Sequence, residues 1–165
     1  EDIAARLAGL LQQDRVLWLD HGYLEGDDTD AHIDTLARFA GKDAIVFQAC
    51  DDPGDSHHAE LGAMAAEIAA LRTADGQPYR LFPLPWAQPV LDAGRRLAAS
   101  YANFLIINGA VLMPAYGDVA DDQAAEVLAQ AFPDRKIVQV PCRSLIWQNG
   151  SLHCITMQLP DGILA

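Results

Sequence analysis

Short apolar runs alternate along the chain with apolar positions that are spaced three and four residues apart. The short runs are typical of buried strands, and the wider spacing is typical of a helix with one apolar face. The runs predict strands in these segments: 15–20, 44–50, 79–85, 136–142, 152–160 and, as a pair, within 103–117.

Two helices are predicted between these strands. Asp55 and Ser56 can cap a helix whose apolar face includes Leu61 and Leu71. Asp121 can cap a second helix, which should stop near the proline at position 133.

These elements form a weak internal repeat. The segments 44–55 and 110–121 are each followed by a helix and then by another strand. Asn108-Gly109 adds a strong hairpin signal in front of the second unit. Each unit therefore reads strand, strand, helix, strand over roughly 60 residues. The pattern predicts an α/β fold of stacked or radially arranged repeats, and two such units do not close a ring.

Composition narrows the class of protein. The chain has 165 residues, 51% of them hydrophobic and 21% charged, as in an ordinary soluble globular domain. Its net charge of −12 argues against a nucleic-acid partner and favours a cationic substrate. No apolar run approaches the roughly 18 residues of a membrane span, so no membrane partner is expected.

Cysteine usage and the N-terminal stretch indicate a compartment. Cys50, Cys142 and Cys154 are an odd set without the spacing of a zinc site. Free thiols fit a reducing environment, and the acidic first residues lack the basic region of a signal peptide. A cytoplasmic location is expected.

The stretch 25–34, EGDDTDAHID, concentrates carboxylates around one histidine. Three interpretations are open. The first is a solvated acidic loop, and the second is a divalent metal site, although the spacing does not match a calcium-binding loop. The third is a site for a cationic organic ligand such as a guanidinium, whose planar donors carboxylates accept in pairs.

A second stretch, GSLHCITMQ, places His153 directly before Cys154. On a strand these two side chains point to opposite faces, so His153 is interpreted as structural. Cys154 is either an inert buried thiol or a nucleophile. A nucleophile would need a histidine supplied by the fold, and His32 in the acidic stretch is the candidate.

Four segments resemble the agmatine deiminases of the peptidyl-arginine deiminase-like family, in the pentein superfamily. They are GDDTDAHIDT, LAASYANFLIINGAVLMPAYGD, AFPDRKIVQVPCR and WQNGSLHCITMQ, and the resemblance runs from about Tyr23 to Pro160. It implies a five-bladed α/β propeller of ββαβ units, which would explain the repeat. Residues 1–165 would then be the C-terminal part of a single deiminase domain whose N-terminal half is absent.

The resemblance also assigns roles. It implies that Cys154 is the nucleophile, that His32 is the catalytic histidine and that Asp34 grips the guanidinium. It further implies substrate-binding or pocket-lining roles for Asp28, Asn149, Gly150 and Ser151. The chain departs from the usual pattern at three positions, with Ala31, Thr35 and Ala98 where glycine, asparagine and proline are common.

The implied reaction converts agmatine to N-carbamoylputrescine and ammonia through a covalent amidino-cysteine, a step of putrescine and polyamine biosynthesis. It needs no metal or organic cofactor. The implied partners are a small cationic guanidine and either the missing half or a second copy of the chain, so the isolated chain is expected to be inactive. Alternatives are an arginine or peptidyl-arginine deiminase, a non-catalytic pentein-fold binding protein and a metal-dependent hydrolase.

Overall fold

The computed structural model describes residues 2–27 and 32–163. Its helices are α1 (Ile3–Leu11), α2 (His58–Ala70) and α3 (Asp121–Ala131). Its strands are β1 (Ala37–Phe39), β2 (Ala44–Gln48), β3 (Arg80–Leu84), β4 (Leu91–Asp92), β5 (Arg95–Arg96), β6 (Leu105–Ile107), β7 (Ala110–Ala115) and β8 (Lys136–Pro141). Short 3₁₀ turns lie at Ile33–Thr35, Ile146–Gln148 and His153–Ile155.

Two three-stranded sheets carry the repeat. In the first, β1 pairs antiparallel with β2, and β2 pairs parallel with β3 after the crossover through α2. In the second, β6, β7 and β8 repeat this arrangement around α3. Both units therefore read ββαβ, which confirms the α/β repeat predicted from the sequence.

The predicted hairpin and the end of the second helix are also confirmed, but Asp121 is the first residue of that helix and does not cap it. Ile107 pairs with Ala110, so Asn108-Gly109 forms the two-residue connection between β6 and β7. Gly109 has a φ of 76°, a conformation that costs glycine little and side-chain-bearing residues more. Helix α3 ends at Ala131, before the proline.

Two predicted strands are wrong. Residues 15–20 form no strand, and the backbone N–H of Asp20 binds the Glu67 carboxylate of α2 instead of a ladder partner. Residues 152–160 contain a 3₁₀ turn at His153–Ile155 rather than a strand. The side chain and carbonyl of Asn103 accept the N–H of His153, so these groups compete successfully with strand pairing.

The segment 97–104 joins the two units and lies inside the core. Its residues Tyr101, Ala102, Asn103 and Phe104 have no exposed surface. The larger apolar cluster contains residues from both sheets, so the units share one core rather than packing as separate domains. Helix α1 buries none of its residues, and no helix in the described ranges is long and apolar enough to cross a bilayer.

Candidate active site

The 3₁₀ turn Ile33–Thr35 presents Asp34 at the start of the first unit. The buried hydroxyl of Thr35 lies 2.8 Å from the carbonyl oxygen of His32 and 3.0 Å from Asp27 Oδ2. On the other side, Ser100 Oγ donates to the Thr35 carbonyl at 2.6 Å. Thr35 is one of the positions that depart from the pattern of the resemblance, and here it fixes the turn that carries Asp34.

Asn103 connects this turn to the segment that contains the thiol. Its Nδ2 donates to Asp34 Oδ2 at 3.0 Å and lies 3.3 Å from Cys154 Sγ. Its Oδ1 accepts the backbone N–H of His153 at 2.9 Å. A fully buried amide thus spans positions that are far apart in sequence. The sequence analysis assigns Asn103 no role, although a polar side chain in an apolar segment is a usable signal.

Asp34 and Cys154 lie side by side. Cys154 Sγ is 3.8 Å from Asp34 Oδ2, and the cysteine is solvent-exposed. The other carboxylate oxygen, Asp34 Oδ1, is buried and has no hydrogen-bond partner, the only such side-chain atom in residues 2–27 and 32–163. A buried carboxylate oxygen without a donor is costly, so this atom is poised to accept a hydrogen bond from a ligand.

His153 also belongs to this cluster, because its Nδ1 lies 2.6 Å from Asp34 Oδ2. The expectation that His153 points away from the thiol is wrong, since the residue begins a 3₁₀ turn and strand alternation does not apply. His153 is 29% exposed and Asp34 17%, so the pair remains partly accessible to solvent.

The structure describes only some of the other residues that the sequence analysis singled out in the acidic stretch. His32 is exposed directly before the Ile33–Thr35 turn, and the described contacts of its ring include none to Cys154. Asp28 and Ala31 lie outside the described residues. No group of three or more potential ligands to a metal occurs among the residues that the structure describes.

The turn before the thiol provides a backbone contact. A Cβ on Gly150 would lie 3.0 Å from Cys154 Cβ, so glycine lets the two segments pack closely. The side chain of Asn149 accepts from Arg95 at 2.7 Å, and Ser151 Oγ lies 3.0 Å from the hydroxyl of Tyr116. Both side chains therefore have protein partners, and their roles in substrate binding stay predictions.

Arg38 supplies a positive charge that interacts with Asp34 and Cys154. Its guanidinium stacks over Phe104, 5.0 Å from the ring centroid, and donates to the Phe104 carbonyl at 2.8 Å. Burial lowers the pKa of Arg38, while negative charge on Asp34 and Cys154 opposes that lowering. The sequence interpretation did not single out Arg38.

Asp34 also lines the wall of a cleft of about 550 Å³. The lining also includes the segment 16–22 and residues of strand β1. Most of the lining side chains are apolar, among them Trp18, Ile33 and Phe39. Cys154 does not line this cleft. The carboxylate therefore stands between an apolar cleft and the thiol.

Comparison with known proteins shows which family the chain resembles. Residues 1–160 match the model of the Porphyromonas-type peptidyl-arginine deiminases. The chain is 34% identical to the agmatine deiminase of Stutzerimonas stutzeri, over 97% of this chain and 48% of that relative. It therefore spans about half the length of the curated relatives it matches.

Two solved structures of similar fold support the same family. A provisionally assigned arginine deiminase from Porphyromonas gingivalis superposes with a TM-score of 0.93 at 53% identity, over 96% of this chain and 47% of that one. A cysteine-to-serine variant of the C. jejuni agmatine deiminase with substrate bound superposes with a TM-score of 0.85 at 40% identity, over 92% and 44%. The fold is that of the pentein deiminases, and the chain belongs to the Porphyromonas-type peptidyl-arginine deiminase family.

Proposed function

We propose that the protein carrying this chain hydrolyses the guanidinium group of agmatine to N-carbamoylputrescine and ammonia. The observation that supports this best is the unpartnered Asp34 Oδ1, on a carboxylate whose other oxygen lies 3.8 Å from Cys154 Sγ. A guanidinium can donate to such an oxygen and bring its central carbon next to the sulfur. The net charge of −12 favours the approach of a cationic substrate.

The first half of the reaction forms a covalent intermediate. The Cys154 thiolate attacks the guanidinium carbon and makes a C–S bond, which gives a tetrahedral adduct. A general acid, for which we propose His32, protonates one nitrogen. The C–N bond then breaks, ammonia leaves, and an amidino group remains on the sulfur.

The second half releases the product. The deprotonated general base takes a proton from water, and the resulting hydroxide attacks the amidino carbon. The C–S bond breaks, so the thiolate is restored and a ureido compound leaves. The balance is one water consumed and one ammonia released. No electron transfer occurs, so no redox cofactor is needed.

Asp34, Asn103 and His153 hold the reactants in this scheme. Asn103 Nδ2 fixes the carboxylate of Asp34 and also lies within hydrogen-bond distance of the sulfur. His153 occupies the same carboxylate oxygen and leaves Oδ1 for the substrate. His32 is exposed and its ring binds none of these groups, so a ligand can approach it.

The test compares ammonia and ureido-product release by the wild-type protein and by Cys154→Ser, His32→Asn and His153→Asn variants. Loss of both products in Cys154→Ser, with retained folding, is expected. Turnover that persists in this variant contradicts the covalent mechanism. A folded wild-type protein that binds agmatine without turnover would instead favour a non-catalytic binding protein.

A second candidate substrate is arginine, free or within a peptide. The likeness to the provisionally assigned arginine deiminase and the family match support it. The acidic stretch 25–34 opposes it for the free amino acid, because like charges disfavour the α-carboxylate. Comparison of kcat/KM for agmatine, arginine and an arginine peptide distinguishes the three, and agmatine is expected to be the best.

A further inference from the structure

A second polar cluster lies outside the site and consists of buried His57 with the partly buried residues Asp55, Trp86 and Arg96. Arg96 donates to both oxygens of Asp55, at 3.1 and 2.7 Å, and Trp86 Nε1 donates to Oδ2 at 2.9 Å. Burial works against ionised Asp55, but these donors and the N–H groups of His57 outweigh it and hold the pKa of the carboxyl well below its usual range. The proposed reaction uses none of these groups.

Both ring nitrogens of His57 have partners in this cluster. Nδ1 lies 2.6 Å from Asp55 Oδ1, and Nε2 accepts the backbone N–H of Glu25 at 2.8 Å. A backbone N–H can only donate, so Nε2 carries no proton and Nδ1 carries the hydrogen. The side chain of His57 has no exposed surface, and Tyr23 stacks on the ring with centroids 5.3 Å apart.

The segment that His57 holds leads into the candidate active site. After Glu25, Gly26 packs so tightly that a Cβ would lie 2.5 Å from the carbonyl oxygen of Arg96. Asp27 then contacts the hydroxyl of Thr35 at 3.0 Å, and Thr35 belongs to the turn that presents Asp34. The chain between these anchors is short and strongly acidic.

We propose that His57 is a positioning residue for the reaction. The hydrogen bonds from Arg96 to Asp55 and between Asp55 and His57 fix the tautomer of His57. His57 Nε2 then fixes the backbone at Glu25. The start of the acidic stretch, Glu25 to Asp27, is thereby held beside the Thr35 turn that carries Asp34. This inference rests on the proposed function, since it concerns the placement of residues assigned to guanidinium binding.

Two amide substitutions distinguish the contributions of the two hydrogen bonds that the His57 ring makes. In His57→Gln, the side-chain oxygen can reach the place of Nε2 and accept from Glu25. In His57→Asn, the shorter amide can replace Nδ1 toward Asp55 but leaves the Glu25 N–H without an acceptor. His58→Asn is the matched control, because His58 is the first residue of α2 and its exposed side chain takes part in neither bond.

All variants are made in the protein that carries this chain and assayed well below their melting temperatures. For His57→Asn, kcat/KM for agmatine is expected to fall roughly tenfold or more, the consequence of one buried N–H left unpaired. His57→Gln should recover most of the loss, and His58→Asn should match the wild type. Equal activity of the Asn and Gln variants would overturn the proposal.

Amide hydrogen exchange provides a readout that does not depend on turnover. The N–H of Glu25 should be protected in the wild type and in His57→Gln and should exchange faster in His57→Asn. Unchanged exchange in His57→Asn would overturn the anchoring. A wild-type protein that releases no ammonia would instead overturn the proposed function, while the exchange data still decide whether His57 anchors the segment.

Discussion

Asn103→Asp is the substitution that probes the candidate active site most sharply. The two side chains have nearly the same shape, so the volume of the buried position is preserved. The acceptor for the N–H of His153 is retained. The donor to Asp34 Oδ2, now at 3.0 Å, is replaced by a carboxylate oxygen. Two carboxylates would then face each other in a position with no exposed surface.

The magnitude follows from the geometry. Two unit charges about 4 Å apart repel by about 4 kcal/mol at an effective dielectric constant near 20. The introduced carboxyl escapes part of this by holding its proton, and 4 kcal/mol corresponds to a rise of about 3 units in its pKa. Burial raises the pKa in the same direction. The introduced group should therefore titrate near pH 7 in the folded protein, against about 3.9 in the unfolded chain.

The sign of the pH dependence is then fixed. The folded variant binds the proton more tightly than the unfolded chain, so its stability falls as the pH rises between the two pKa values. A protonated carboxyl can still donate to Asp34, so most of the wild-type stability is recovered in acid. Between about pH 5 and pH 7.5, the deficit relative to the wild type should grow by roughly 2–3 kcal/mol.

Urea denaturation at the two pH values measures this deficit. The matched control is Asn149→Asp, in which the introduced carboxylate still accepts from Arg95 and should show no such growth. A deficit for Asn103→Asp that does not change with pH would refute the placement of Asn103 against Asp34.

Three further predictions concern the thiol and its support. A cationic haloacetamidine should label exposed Cys154 before Cys50 and Cys142, whose pKa values burial raises, and agmatine should protect Cys154; equal labelling contradicts an activated thiol. Gly150→Ala should slow this labelling about tenfold, because its Cβ displaces Cys154, and an unchanged rate contradicts the close contact. Tyr116→Phe should lower the free energy of unfolding by about 1–3 kcal/mol, because the N–H of Ser100 and the hydroxyl of Ser151 lose a buried partner; a smaller loss in urea denaturation contradicts these bonds.

The repeat could be predicted from the sequence because it depends on local signals. Alternating apolar runs, Asn108-Gly109 and the position of Asp121 each act over a few residues, and the two ββαβ units follow from them. The predicted strand at 152–160 is wrong because the conformation there depends on Asn103, about fifty positions away. An apolar run alone does not reveal that a distant side chain will accept hydrogen bonds from its N–H groups.

The candidate site likewise has features that could be predicted from the sequence and features that depend on distant contacts. The resemblance implies one site for Cys154, His32 and Asp34. Cys154 Sγ lies 3.8 Å from Asp34 Oδ2, while a shared site with His32 stays a prediction. The involvement of His153 could not follow from a strand pattern, because the 3₁₀ turn changes where the ring points. Asn103 and Arg38 carry weak local signals, and only the packing of the two units places them near the thiol.

The central claim is that Cys154 forms a bond to the substrate carbon. The direct measurement is mass spectrometry of the protein carrying this chain, quenched in acid during turnover of agmatine and digested. The account predicts an added amidino group on the peptide that contains Cys154 and on neither peptide that contains the other two cysteines. Sustained ammonia release with Cys154 unmodified, in a protein that also turns over as the Cys154→Ser variant, would contradict it.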